Sequence, residues 1–212
     1  MKLSTLLRTL LLLAGMSIAM LSSASVINPA FEFDAPSFSA NFGTDYNFGI
    51  GFLANQDLEV DALAYYDDGP SSASHNVALF RMDGTKLAET IVNVSDTLIG
   101  NFRYSSIAAI KLQAGESYWV FGNSTGDNYT WNVDNFVVNP MLTSIRYSYA
   151  VANSLAAEFS IDAGTDSDMN NAYWGPGLSI HAASVAVPEP ASYLLLLAGL
   201  AVLLVATQRK KQ

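Results

Sequence analysis

The sequence contains no cysteine and only two histidines in 212 residues. Without cysteine, disulfide bonds, thiolate metal sites and cysteine nucleophiles are all excluded. Two histidines are too few to predict a zinc site, and the zinc-protease motif H-E-x-x-H does not occur. We therefore predict a protein that is not an enzyme and that carries no cofactor, with weakly held calcium as the one alternative left open.

Basic residues are scarce in the middle of the chain. Between Ser25 and Val187 there are 18 acidic and 5 basic residues, a formal charge of about −13. A nucleic-acid-binding protein needs basic side chains to replace the counterions on phosphate. The charge therefore excludes nucleic acid as a partner, and it favours a soluble exported domain that can attract cations.

The N-terminal residues have the layout of a secretory signal peptide. Lys2 and Arg8 form a basic region, an apolar run follows from Leu10 to Leu21, and small residues come next. Small side chains at the −3 and −1 positions predict cleavage after Ala24. We expect residues 1–24 to form a signal helix that the Sec export machinery reads and that is then removed; an uncleaved anchor is the less favoured alternative.

A second apolar segment lies near the C-terminus. Residues 191–207 carry no charge and, as a helix, span about 25 Å, which is just enough for a bilayer core. The basic tail at 208–212 contains Arg209, Lys210 and Lys211, and positive charge stays on the cytoplasmic side. This pattern predicts a transmembrane helix with the preceding domain on the outer side of the membrane.

Pro-Glu-Pro directly precedes this segment. The order Val187, Pro188, Glu189, Pro190, then an apolar span and a basic tip, resembles the PEP-CTERM sorting signal of Gram-negative bacteria. The resemblance implies an exosortase as processing partner, transient anchoring in the inner membrane, and then a cell-surface or extracellular location. It also implies export alongside exopolysaccharide. We assign residues 187–212 to this signal.

Residues 25–186 read as strands and turns. Leu58 to Tyr66 begins with alternating apolar and acidic residues, the pattern of a half-buried strand. Asp83-Gly84 predicts a hairpin turn, and residues 113–116 predict a further turn between two strands. Turn signals recur about every ten residues, which favours an all-β fold: a single antiparallel β-sandwich or jelly-roll-like domain.

Residues 48–128 are similar to an uncharacterised bacterial β-sandwich domain of unknown function. The positions that carry the resemblance are Asp67, Gly69, Ser74, His75, Val77, Leu79, Leu87, Ala88, Phe102, Arg103, Tyr104, Leu112, Ala114, Gly115 and Tyr118. The resemblance implies a binding or structural module whose ligand is unknown.

His75 is the most informative polar residue of this region. It lies just before a strand and close in sequence to Asp67 and Asp68, so the three could bind a metal or another ligand. The favoured interpretation is structural, with the imidazole bonded across the loop to fix strand register. His181 alternates with apolar residues and is expected to be solvated or paired with a loop.

Two further candidates lie near the end of this region. Asp166, Asp168 and Asn170 have the spacing of alternating calcium ligands, but the residues that complete an EF-hand are missing, so a solvated loop is favoured over a loose calcium site. Trp174 lies in a loop-like stretch, and we expect its ring to be exposed and able to stack on a sugar. Trp119 lies in an apolar run and is expected to be buried.

Three hypotheses follow for the function. The first is an exported, sorted β-sandwich that binds or scaffolds in an exopolysaccharide or biofilm matrix. The second is a secreted hydrolase of matrix polysaccharide, which an exposed acidic pair in a cleft would favour. The third is a structural protein without a small ligand.

Overall fold

The computed structural model describes residues 26–34, 45–67, 73–126, 129–151, 165–166, 169 and 172–183, with only the backbone described at 144, 145, 165 and 166. The predicted signal peptide, sorting motif and transmembrane helix lie outside these residues. Among the residues that are described, no helix has both the length and the apolar character needed to cross a membrane.

The described residues form an all-β fold, as predicted. The strands are β1 (Phe31–Asp34), β2 (Tyr46–Ala54), β3 (Leu58–Tyr66), β4 (His75–Arg81), β5 (Lys86–Val92), β6 (Thr97–Ile99), β7 (Phe102–Leu112), β8 (Ser117–Asn123), β9 (Asp134–Val138), β10 (Leu142–Val151), β11 (Thr165–Asp166) and β12 (Pro176–Ala182). Every pairing between them is antiparallel.

Two sheets pack face to face as a sandwich. The larger sheet has the strand order β11-β10-β2-β8-β4-β5, and the smaller has the order β12-β3-β7-β6. Alternation places Ile50, Phe52 and Ala54 of β2 in the core, together with Leu58 and Val60 of β3. Both predicted turns are confirmed: Asp83-Gly84 closes the β4–β5 hairpin, and residues 113–116 cross from β7 of the smaller sheet to β8 of the larger. Gly84 and Gly115 adopt φ of 86° and 79°, a conformation that favours glycine.

A ribbon of β1 and β9 closes one side of the sandwich. Phe31 and Phe33 alternate with exposed Glu32 and Asp34, so one face of β1 enters the core. These rings pack against the ring of Trp174. Its centroid lies 5.6 Å from the ring centroid of Phe31, 5.4 Å from that of Phe33 and 4.8 Å from that of Phe136 in β9. These contacts attach the ribbon to the core.

The prediction that Trp174 is exposed is therefore wrong. Its side chain is 0 % accessible, because the ribbon covers it from one side and residue Thr130 bridges to its backbone on the other. A buried ring has no face left for a sugar. The prediction that Trp119 is buried is confirmed, since it is also 0 % accessible.

Strand β12 is held along both edges. Its inner edge pairs with β3, from Pro176 opposite Tyr65 to Ala182 opposite Leu58. On the other edge, the Ala30 amide donates to the Leu178 carbonyl at 2.9 Å and the Ile180 amide donates to the Asn28 carbonyl at 3.0 Å. Residues 28–30 therefore protect an edge that would otherwise present unpaired backbone groups.

Replacing Trp174 by alanine tests whether the ribbon depends on this ring. We expect the Trp174→Ala variant to lose about 3–5 kcal/mol of unfolding free energy, because a large buried side chain is removed from the core. Urea unfolding followed by far-ultraviolet circular dichroism measures the loss. Trp131→Ala, at a half-buried ring, is the control and is expected to lose less than half as much; equal losses in the two variants would contradict this account.

Candidate functional site

A cleft of about 410 Å³ opens between the β1–β9 ribbon and the turn that joins β6 to β7. A cavity of this volume lies within the range of small-ligand sites. Its walls come from three segments of the chain: Pro29, Phe31, Glu32, Phe33 and Asp34; Ile99, Gly100, Asn101, Phe102 and Tyr104; Asn135 and Val137.

Oxygen acceptors dominate the polar lining. Glu32 and Asp34 are both exposed, two residues apart on β1, so both side chains leave the same face of the strand. The Asn135 amide donates to Asp34 Oδ2 at 2.6 Å, and the Asn101 amide donates to the Phe33 carbonyl at 2.7 Å. Each of these two asparagine side chains therefore donates one N–H to the protein itself. The Glu32 carboxylate makes no hydrogen bond within the described part of the chain.

Tyr104 adds a hydroxyl to this wall. The residue is only 4 % exposed, and its hydroxyl makes no hydrogen bond to the described residues. Burial, and to a lesser extent the negative charge of Glu32, raises the pKa of Tyr104 well above its usual range. The hydroxyl therefore stays protonated and can donate a hydrogen bond.

Among the described residues that line the cleft there is no lysine, arginine or histidine. Two carboxylates thus face it without a lining cation. The cleft is consequently electronegative, with apolar surface from Ile99 and from Val137, which is 54 % exposed.

His75 lies in a separate, buried cluster. Its ring stacks on Tyr65 with centroids 3.8 Å apart and planes at 7°, and its Nδ1 lies 3.1 Å from the Asn123 carbonyl oxygen. Because a carbonyl only accepts, Nδ1 carries the proton. A cavity of about 10 Å³ beside it is lined by His75 and Asp67 among others, room for about one water.

Asp67 is engaged by a buried ion pair. Arg103 Nε donates to Asp67 Oδ2, and Arg103 Nη1 donates to the Asp96 carbonyl at 3.0 Å. The side chain of Asp67 is 4 % exposed. The arrangement supports the structural interpretation of this pair, since the arginine already satisfies the carboxylate.

Aromatic rings gather at one end of the larger sheet. Phe48 and Tyr129 are buried there with centroids 4.6 Å apart, and Tyr46, Trp131 and Tyr173 pack against them. Burial and the neighbouring tyrosines raise the pKa of Tyr129 to about 12. These rings form a second core cluster.

The other predicted ligand residues are only partly placed. Asp68, Asp168 and Asn170 lie outside the described residues, and Asp166 is described by its backbone alone, in β11 opposite Tyr147. Within the described chain, no three histidine or acidic side chains lie close enough together to hold a metal ion. The possible calcium site therefore stays a prediction.

His181 lies on β12, where its Nε2 is 3.0 Å from Asp61 Oδ2. The two side chains are 32 % and 13 % exposed respectively. The histidine is therefore half-buried beside a carboxylate of the neighbouring strand, rather than solvated or paired with a loop as expected.

Sequence reasoning missed one pentapeptide. Residues 122–126 read Gly-Asn-Ser-Thr-Gly, which matches G-x-S-x-G. In hydrolases this motif turns from a strand into a helix and exposes the serine. Here Ser124 is 0 % exposed at the end of β8, and its Oγ accepts a hydrogen bond from the Tyr46 amide at 2.9 Å. The serine continues the pairing of β2 with β8 by one residue and does not present a nucleophile.

The cleft residues were also missed. The alternation Phe-Glu-Phe-Asp at residues 31–34 is a strand signal that could have placed Glu32 and Asp34 on one exposed face. Their proximity to residues 99–104 could not have been read locally, because about 70 residues separate the two segments in sequence.

Two family models match the chain. The model described as a domain of unknown function (DUF4082) matches residues 34–175, about two thirds of the chain. The PEP-CTERM protein-sorting motif matches residues 186–210. No curated protein and no solved structure matches.

The two histidines allow a matched test of the structural role of His75. We expect His75→Ala to lower the unfolding free energy by about 2–4 kcal/mol, because a buried stacked ring and a hydrogen bond are lost. His181→Ala, which breaks a half-buried pair, is expected to cost about 1 kcal/mol or less. Urea unfolding measures both. A thermal midpoint that rises with Zn²⁺ or Ca²⁺ in the wild type, but not in His75→Ala, would favour the ligand role instead.

Proposed function

Because the chain belongs to the DUF4082 family and carries a PEP-CTERM sorting motif, we propose that it is an exosortase-sorted surface or extracellular protein with a non-catalytic binding role in an exopolysaccharide matrix. The motif itself implies export and passage through a membrane-anchored stage before the cell surface. The proposed binding role in the matrix is assigned to the sandwich domain.

The cleft is the observation that supports binding. Polysaccharides present many hydroxyl groups and patches of C–H surface. The cleft offers oxygen acceptors from Glu32, Asp34 and two asparagines beside apolar surface. A few polar groups set in an apolar wall give both orientation and contact area.

The position of the cleft also supports this role. The end of β12 nearest the sorting motif pairs with Leu58, whereas the cleft residue Phe102 pairs with Tyr66 at the far end of β3. At about 3.3 Å per residue, these ends lie about 20 Å or more apart. A domain tethered through residues 184–187 would thus present the cleft away from its attachment.

Hydrolysis is the second candidate, because Glu32 and Asp34 form an acidic pair in a cleft. A glycosidase needs one carboxyl group that burial keeps protonated as the general acid. Glu32 and Asp34 are both exposed. Binding without cleavage therefore fits the site better.

The test begins with the protein recovered from its native host. We expect intact mass to show a chain that starts at Ser25 and ends within residues 188–190, with or without an added group, because both terminal segments are processed. A chain that still ends at Gln212 would contradict sorting.

Retention on the host's own polysaccharide tests the binding role. We expect the wild type to be retained and the double variant Glu32→Gln, Asp34→Asn to elute earlier, because it lacks both cleft charges. Glu116→Gln, which removes an exposed charge from a distant turn, is the control and should behave as the wild type. Release of reducing ends from the polysaccharide by the wild type, lost in the double variant, would instead support the hydrolase.

A further inference from the structure

We propose that the cleft between the β1–β9 ribbon and the β6–β7 turn binds an amine-bearing sugar unit of a polysaccharide. This inference rests on the proposed function and names the ligand class of the same site. Its starting point is the charge of the lining, in which Glu32 and Asp34 have no basic counterpart among the described residues. A uronate or sulfated sugar would bring negative charge against both carboxylates and is disfavoured.

The hydrogen-bonding inventory points to a donor-rich ligand. The acceptors are the Glu32 carboxylate, the Asp34 oxygen that Asn135 does not occupy, and the amide oxygens of Asn101 and Asn135. A protonated amine carries three donors and no acceptor, and its bonds to a carboxylate are the strong, charge-assisted kind. Glu32 supplies such a carboxylate, exposed and without a partner among the described residues.

Tyr104 provides an independent observation. It is 96 % buried, yet it lines the cleft and its hydroxyl has no hydrogen-bond partner in the described chain. The hydroxyl oxygen itself reaches solvent, since it is not one of the buried polar atoms of the described chain that lack a partner, so a ligand oxygen can replace water as its acceptor. A simple amine has no acceptor for Tyr104, whereas a sugar has hydroxyl and ring oxygens.

The size and walls of the cleft also select a sugar over a bare cation. A volume of about 410 Å³ is far larger than one ion requires. Ile99 and Val137 offer apolar surface against which the C–H groups of a pyranose ring can pack. A lysine side chain would fill less of this space and would offer no acceptor to the Tyr104 hydroxyl.

The charge of the whole domain also favours a positively charged ligand. About −13 formal charges lie between Ser25 and Val187, and three of the five basic residues are engaged: Lys86 with Glu89, Arg103 with Asp67, and Arg146 over the ring of Trp119. Such a field attracts polycations and repels polyanions before contact. Binding to an amine-bearing polymer should accordingly weaken as salt is added.

Isothermal titration calorimetry on the full chain in mild detergent tests the proposal. The probes are a glucosamine tetramer, its N-acetylated counterpart, a tetramer of uronic acid, and tetralysine. We expect the glucosamine tetramer to bind more tightly than the other three. Glu32→Gln should weaken that binding at least about tenfold, because a charge-assisted bond is lost.

Tyr104→Phe keeps the ring and should weaken binding of the glucosamine tetramer about fivefold. Glu116→Gln makes the same change of charge as Glu32→Gln but outside the cleft, and should bind as the wild type. Thermal midpoints of all variants are measured alongside, since Glu32 is exposed and its substitution should leave the fold intact.

Three results would overturn the inference. The first is equal affinity for glucosamine and its N-acetylated form, and the second is tetralysine binding that depends on Glu32 in the same way. The third is no binding of any tetramer while the protein is still retained on the host polysaccharide, a result under which the proposed matrix role stands and only the ligand class fails. If retention on the host polysaccharide fails as well, the proposed function fails with it.

Discussion

The packing of β1 and β9 on Trp174 is the contact on which the rest of the site depends. Phe31, Phe33 and Phe136 all lie within 6 Å of its ring, measured between centroids, and among the described strands β1 and β9 pair only with each other. Apolar burial of these rings therefore holds the ribbon, together with the hydrogen bonds that residues 28–30, just before β1, make to β12. The same alternation that sends the phenylalanines inward sends Glu32 and Asp34 outward. The packing that closes the core therefore also forms one wall of the cleft.

The Tyr65–His75 stack bridges the two sheets of the sandwich. Tyr65 belongs to β3 of the smaller sheet and His75 to β4 of the larger, and Gly122 and Gly175 leave room for the tyrosine ring. A Cβ at Gly122 would lie 2.9 Å from that ring, and one at Gly175 would lie 2.7 Å from its hydroxyl. Larger residues at either glycine would force the ring to move, so the stack, the glycines and the sheet spacing form one unit.

Local patterns predicted the parts of this fold that local chemistry decides. Asp83-Gly84 gave the β4–β5 hairpin because glycine tolerates its φ, and the alternation after Leu58 gave β3. Trp174 was predicted wrongly because its neighbours resemble a loop, and it is buried by residues that are distant in sequence, those of the ribbon above all. The cleft could not be foreseen for the same reason: Glu32, Asn101 and Asn135 are about 34–103 residues apart in sequence and meet through tertiary packing. The sorting motif was recognisable because it is contiguous.

Strand β12 is the last of the described strands before the sorting motif in the sequence, so a force on the motif would act on the domain through this strand. A force applied through residues 184–187 enters along the axis of β12, while its hydrogen bonds to β3 and to residues 28–30 run across that axis. The bonds are then loaded in shear and must yield together, whereas peeling would break them one at a time. The cleft lies at the opposite end of the strands, so a load applied between residues 184–187 and the cleft would run lengthwise through the sandwich.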